Sequence, residues 1–226
     1  MKRLMNRYAK SSKLSERDFR ALAKLVAADL TATQIALVSG LNRNTVNRYL
    51  RLLRERMAAW CEAQRPFFGV VEADESYFGA RRVKGQRGRG AGGKTIVFGI
   101  FERSGRVYCE VVPDASRHSL QMVIRRKVTL ETVINTDRWR SYNGLVEMGY
   151  GHLRVDHGQN EFARGPAHIN GIEAFWGYAK TRLARFRGMS PATFSIHLKE
   201  CEFRYNNRGQ NLTRLILKMC RQNPLC

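Results

Sequence analysis

Near Pro66 the hydrophobic period of this 226-residue chain switches from helical to extended, so the two sides must fold by different rules. Before the switch, Phe19, Leu22, Val26 and Leu30 mark one side of a helix that begins at Ser15. Thr31 to Gln34 has the form of a capping box ahead of a short helix, Gln34 to Ser39, that stops at Gly40. Asn42 then caps a longer helix with Val46, Tyr49, Leu50, Leu53 and Met57 on its inner stripe. After the switch, strands are expected at Val70–Glu75, Ile96–Phe101, Val107–Val112, Thr132–Asn135 and Leu153–Val155. The second and third are joined around Ser104-Gly105 like a hairpin, and a helix at Ser116–Lys127 precedes the fourth. Further helices are expected near His168–Phe186, Pro191–Asn206 and Leu212–Arg221. Three strands, helix, two strands, helices is an α/β order with a mixed sheet. The expected partition is therefore a small all-α domain over residues 1–66, with residues 1–13 as a basic mobile arm, and an α/β domain over residues 67–226 that includes the C-terminal helices.

Forty Lys and Arg against 19 Asp and Glu give a net charge of +21, which points to a polyanionic partner, above all nucleic acid. The surplus is spread over residues 1–66, 80–94 and 178–226, and 43% apolar residues argue for real cores rather than a disordered basic tail. Short helix, glycine turn, second helix over Thr31–Leu50 resembles the helix-turn-helix family at Ala36, Gly40, Thr45-Val46 and Leu50. The outward face of the second helix offers Arg43, Asn44, Asn47, Arg48 and Arg51, types that suit base edges and phosphates of double-stranded DNA. A three-helix bundle with solvated arginines would present the same pattern.

Five scattered cysteines without CxxC spacing support neither a disulfide framework nor a zinc site. The start of the chain lacks the apolar run of a signal peptide, and no stretch approaches ~18 apolar residues, so no membrane is expected and a reducing cytoplasm is the default. Gly88 to Thr95 matches G-x-x-x-x-G-K-[ST], but its approach is polar and its exit, Ile96 to Ile100, is β-branched. A phosphate loop needs a strand before and a helix after, so no nucleotide cofactor is expected. Glycines alternating with arginines over residues 81–94 fit instead a clamp on a nucleic-acid backbone that orders on DNA.

Asp74 and Asp137 stand at expected strand ends, and Glu173 lies on the helix after His168, with spacings of 63 and 36 residues. Singly, each Asp would pass as a turn or cap residue. Together, two strand-end aspartates and a helical glutamate form a hard-oxygen set suited to magnesium or manganese. At ~4 Å separation and an effective dielectric near 20, each pair of carboxylates would repel by up to ~4 kcal/mol, which a divalent ion removes. On the same helix Ile172, Phe175, Ala179, Leu183 and Phe186 recur as a core stripe, and Lys180 lies about two turns beyond Glu173 on nearly the same face. That separation exceeds an i,i+4 ion pair, so both side chains face a third party, a metal and a phosphate, unless the helix simply has a charged edge.

Three blocks then resemble, in order, the signatures of small bacterial insertion-sequence transposases of the ISXO group. They are Val71-Glu72-Ala73-Asp74-Glu75-Ser76-Tyr77-Phe78-Gly79, Thr136-Asp137-Arg138-Trp139-Arg140-Ser141-Tyr142, and His168 to Lys180. The resemblance runs from about Gly69 to Asn207 and implies a ribonuclease-H-like catalytic domain behind a helix-turn-helix, with no zinc ribbon, since only Cys61 precedes the first strand. It implies that Asp74, Asp137 and Glu173 are the catalytic carboxylates of a DDE site that binds two Mg²⁺ ions, with Mn²⁺ able to substitute. Lys180 would contact transposon-end DNA. The implied reactions are cleavage at the element's terminal repeats and strand transfer into target DNA, without a covalent protein–DNA intermediate. Bringing two ends together implies a homo-oligomer, at least a dimer, acting on the nucleoid in a bacterial cytoplasm. Related groups use asparagine as the third residue, and Asn170 sits one turn before Glu173, so it is the alternative ligand. Glu72 and Glu75 flank Asp74 as substitutes or supports, while Trp139, Tyr142, Trp176 and Tyr178 read equally as core or as stacking platforms. A nuclease of the same fold that cuts without joining, and a non-catalytic DNA-binding regulator derived from a transposase, are the competing functions.

Overall fold

A computed structural model describes residues 6–79, 94–137, 139–155, 169–186 and 189–226. In chain order the elements are α1 (Glu16–Ala27), α2 (Ala32–Ser39), α3 (Arg43–Glu62), β1 (Val70–Phe78), β2 (Thr95–Glu102), β3 (Arg106–Val112) and α4 (Arg117–Lys127). They continue with β4 (Val133–Thr136), a 3-10 turn at Arg140–Tyr142, β5 (Gly151–Arg154), α5 (Asn170–Leu183), α6 (Pro191–Asn206) and α7 (Leu212–Gln222). These fall into two compact units, Met1–Ala63 with Asn207–Cys226, and Gln64–Asn206.

The first unit is helical because its caps and stripes agree. The Ser15 hydroxyl accepts from the Asp18 N–H at 3.1 Å, starting α1. Thr31 and Gln34 form the capping box of α2, which ends at Gly40 with φ +69°, a conformation only glycine adopts without strain. Asn42 Oδ1 accepts from the Asn44 N–H at 2.8 Å and opens α3. Two expectations are corrected here. The α/β domain does not extend to residue 226: α7 buries Leu215, Ile216, Met219 and Cys220 and packs on α1 and α3. The chain after it pairs with the N-terminal segment, Leu225 N–H donating to Tyr8 O at 2.9 Å and Lys10 N–H to Leu225 O at 2.7 Å. Consequently residues 6–13 are no mobile arm, since Tyr8 and Ala9 are buried and the Tyr8 ring stacks on Phe19 at 5.4 Å. An amphipathic helix must cover its apolar side, and here α1 and α3 supply the cover.

The second unit is a five-stranded sheet of order β3-β2-β1-β4-β5. β1, β2 and β3 run antiparallel, while β4 pairs parallel with both β1 and β5. This is the ribonuclease-H-like mixed sheet that the signature blocks implied. Alternation along β1 sends Val71 and Ala73 into a core beneath α4 with Leu120, Val123, Ile124 and Ile134. The opposite face packs Phe78, Val97 and Phe101 against Ile172, Phe175 and Trp176 of α5 and Phe194 and Leu198 of α6. β3 is an edge strand, and α6 occupies its free groups. Asn206 accepts from the Val107 N–H at 2.7 Å and donates to Val107 O at 2.8 Å, while Glu202 accepts from the Cys109 N–H at 3.0 Å. Such cover removes a template for pairing with a foreign strand. The glycine-rich stretch 81–93 lies outside the described residues, and Thr95 beyond it opens a strand.

Candidate active site at the carboxyl ends of the central strands

β1 and β4 are paired in parallel through Val70↔Val133, Val71↔Ile134 and Glu72↔Asn135. Continued by two residues, that register sets Asp74 beside Asp137. The β1–β4 pairing ends at Glu72, but β1 runs on to Phe78 because β2 supports its other edge as far as Phe78↔Thr95. The central strand therefore outruns its parallel neighbour, and open α/β sheets place their sites at such strand ends. Asp137 sits half-buried at the mouth of β4, its Oδ1 accepting from the Trp139 N–H at 2.9 Å. Thr136 Oγ1 donates to the Asp137 carbonyl at 2.7 Å and lies 2.9 Å from His152 Nε2 on β5, which fixes the turn.

Helix α5 closes the other side. Its first turn is anchored by Glu72, fully buried on the Asp74 face of β1, which accepts from the Ile172 N–H at 2.9 Å. A carboxylate suits the positive end of a helix. Gly171 makes the approach possible, since a Cβ there would overlap the Phe101 ring. Four residues beyond Ile172, Trp176 Nε1 donates to Asp74 Oδ2 at 3.0 Å. Lys180 is exposed, with its Nζ 5.7 Å from the centre of the Phe78 ring at the end of β1. Asn170 and Glu173 are exposed on the first turn of α5, and Glu173 is one turn before Trp176.

The electrostatics single out Asp74. Burial raises its carboxyl to about 7, and the charges of Glu75 and Asp137 push the same way against the opposing Trp176 hydrogen bond. Glu75 points to the other face of β1 and accepts from the Tyr142 hydroxyl at 2.8 Å. Burial and the Glu75 and Asp74 charges hold the Tyr142 phenol well above its ordinary pKa, so it remains a donor. The structure thus brings Asp74 and Asp137 together, with Glu75 close behind, and carries Glu173 on the helix that touches Asp74. Among the described residues no three His, Cys, Asp or Glu converge tightly enough to hold an ion. The donor set nevertheless fits a hard divalent cation. It is all oxygen, and burial, helped by the charges of Glu75 and Asp137, holds a proton on Asp74 up to about 7, where a cation would favour the ionised form.

Sequence reasoning missed the hydrogen bond from Trp176, the helix anchor Glu72 and the two close-approach glycines, Gly99 and Gly171. A signal for the first was present: a buried indole needs an acceptor. In the first unit Arg43, Asn44, Asn47, Arg48 and Arg51 are all exposed on α3, opposite buried Val46, Tyr49, Leu50 and Leu53. Arg51 Nε donates to Glu55 at 2.9 Å. His168, Arg138 and the glycine-rich clamp lie outside the described residues. No helix among the described residues is long and apolar enough to cross a membrane.

Fold and site together define a ribonuclease-H-like α/β domain with acidic residues where β1 outruns β4, its sequence lying between the two parts of a helical unit. The chain belongs to the family of the ISXO2-like transposase domain, whose model matches residues 66–206. It is 40% identical over 102 residues to a transposase-like protein of Haemophilus influenzae, across 45% of this chain and 82% of that one. It is 27% identical over 194 residues to a protein in transposable element ISH50 of Halobacterium salinarum, across 76% of this chain and 63% of that relative's length. Among solved structures, the catalytic core domain of BIV integrase is similar at 15% identity and a TM-score of 0.41, over 63% of this chain and 85% of that one.

Proposed function

We propose that this chain is a DDE transposase that binds the terminal repeats of its own insertion sequence and catalyses metal-dependent cleavage and strand transfer of double-stranded DNA. The observation that carries the reading is the Asp74–Asp137 pair at the point where β1 outruns β4, in a chain of the ISXO2-like family. Asp74 and Asp137 would hold Mg²⁺ or Mn²⁺, with Glu173 as the third ligand and Asn170 as its alternative; two ions are expected. A bound divalent ion neutralises the phosphate and lowers the pKa of an attacking water or 3′-hydroxyl. In the first step a water oxygen attacks phosphorus at the transposon end, the bond to the 3′-oxygen breaks, and that oxygen leaves with a proton as a 3′-hydroxyl. In the second step this hydroxyl attacks a target phosphodiester and displaces the target's own 3′-oxygen. Lys180 would contact the end DNA, and Arg43, Asn44, Asn47, Arg48 and Arg51 of α3 would read base edges and phosphates in the major groove. Two ends must be held at once, so the working species is a dimer or larger.

The test is magnesium-dependent cleavage and joining on a labelled duplex carrying the element's terminal repeat. Wild type should cut and join, and Glu173→Gln should do neither while still binding the end. Loss in Asn170→Ala with activity in Glu173→Gln moves the third ligand to Asn170. Cutting without joining of a supplied 3′-hydroxyl end identifies a nuclease. Tight end binding without any cutting identifies a regulator, and either result overturns the proposal.

A further inference from the structure

We propose that Trp176 is a positioning residue for the acidic centre: its indole N–H fixes the Asp74 carboxylate and thereby sets how tightly the site takes up a divalent cation. The inference rests on the metal-dependent reading of Asp74 and Asp137 given above. Trp176 Nε1 donates to Asp74 Oδ2 at 3.0 Å from a ring that is only 4% exposed. The ring has little freedom to leave. Phe78 meets it edge-on at 6.0 Å between centroids, and Phe175 lies at 5.2 Å. The Cζ2–Cη2 edge of the ring lies over Gly99, the residue paired with Asp74 across β1 and β2, where a Cβ would come within 2.6 Å of the ring. A glycine at that register position is what leaves the indole a slot on the sheet.

The donor's chemistry suits the task. A lysine or arginine in this place would ion-pair with Asp74 and compete with the cation for its charge. The indole N–H is a neutral donor with no acceptor lone pair to offer a metal, so it orients the carboxylate without neutralising or replacing it. Holding a ligand in one orientation reduces the ordering that ion binding must impose, which is why partners of metal ligands affect affinity. Because Trp176 follows Glu173 by three residues on α5, the same bond ties the helix bearing Glu173 to the strand bearing Asp74.

The test is Mn²⁺ binding to the full-length protein stripped with EDTA, read from the paramagnetic resonance of free Mn²⁺, with thermal melts alongside. Trp176→Phe keeps the ring and deletes the donor; it should bind Mn²⁺ about 10–100-fold more weakly with a melting point near wild type. Its kcat for end cleavage should fall while KM for the DNA end stays unchanged. Gly99→Ala keeps the indole but presses the ring off its slot, and should weaken Mn²⁺ binding in the same direction. Wild-type affinity in both variants overturns the proposal, as does an affinity loss that merely follows a loss of melting temperature. An Asp74→Asn control that binds Mn²⁺ like wild type, or a wild type that binds none, overturns the metal reading itself and this inference with it.

Discussion

Asp74 concentrates the conflict between folding and function. Its carboxyl stands at about 7 in the folded chain against an ordinary 3.8, because burial disfavours the charge and Glu75 and Asp137 repel it. A raised acid pKa means that the folded state binds the proton more tightly than the unfolded state. The associated stabilisation is present below about pH 4 and is lost as pH rises through about 7, a change on the order of 2–4 kcal/mol for a partly shielded group. EDTA-treated protein should therefore lose stability to urea between these limits, Asp74→Asn should flatten that loss, and Mg²⁺ should restore stability at pH 8. An identical pH profile for wild type and Asp74→Asn would remove Asp74 as the cause. Asp74 and Asp137 stand out in the sequence because each follows an apolar run in a chain of high positive charge, although Asp74 lies in the middle of β1 and not at its end. Trp176 was not, because a tryptophan in a helical stripe reads as core, and here it is core and hydrogen-bond donor together. Glu72 was legible only as a neighbour of Asp74; its anchoring of α5 joins residues 100 positions apart, beyond the reach of local pattern.

At the scale of elements, each α-helix and strand overlaps a segment expected from the sequence, although β5 lies at Gly151–Arg154 rather than Leu153–Val155 and the 3-10 turn at Arg140–Tyr142 was not expected. Caps fixed the starts of α1, α2 and α3 from side chains written beside them. Strand lengths were less legible. β1 was expected to stop at Glu75 and continues to Phe78, because the antiparallel partner β2 satisfies its backbone past the point where polar residues break the apolar run. The assignment of α7 was not legible at all, since its amphipathic pattern states that one side is covered and not by what. Its placement makes a prediction. Ile216 is fully buried, so Ile216→Ala should cost about 2–4 kcal/mol, and the loss belongs to the helical unit. Hydrogen exchange should show lost protection in α1 and α3 with protection in β1, β2 and β4 unchanged. Faster exchange confined to the sheet would return α7 to the α/β domain.

For the whole molecule, the proposed function and the division into two compact units together predict that recognition and chemistry can be removed separately. The charge of +21 makes the first of these strongly dependent on salt. If about 6 phosphates are neutralised, log K falls with log salt at a slope near −5, and affinity drops about a thousandfold between 50 and 200 mM. Arg48 is exposed on α3, next to Asn47 and clear of the buried stripe. Its truncation to alanine should weaken binding to the terminal repeat by about 1–3 kcal/mol if it reads a base, and leave magnesium-dependent nicking of non-specific duplex near wild type. Asp137→Ala should do the reverse, abolishing nicking and joining while retaining end affinity, because it removes charge from a site that repels phosphate until a cation arrives. Titrating both variants against the same end duplex at several salt concentrations separates the roles. Arg48→Ala should lose specificity, with a salt slope reduced by about one only if its contact is to phosphate, whereas Asp137→Ala should keep the wild-type slope. Equal losses of binding and nicking in Arg48→Ala would mean that the two units do not divide the work, and α3 would then lose its assigned role in reading the end.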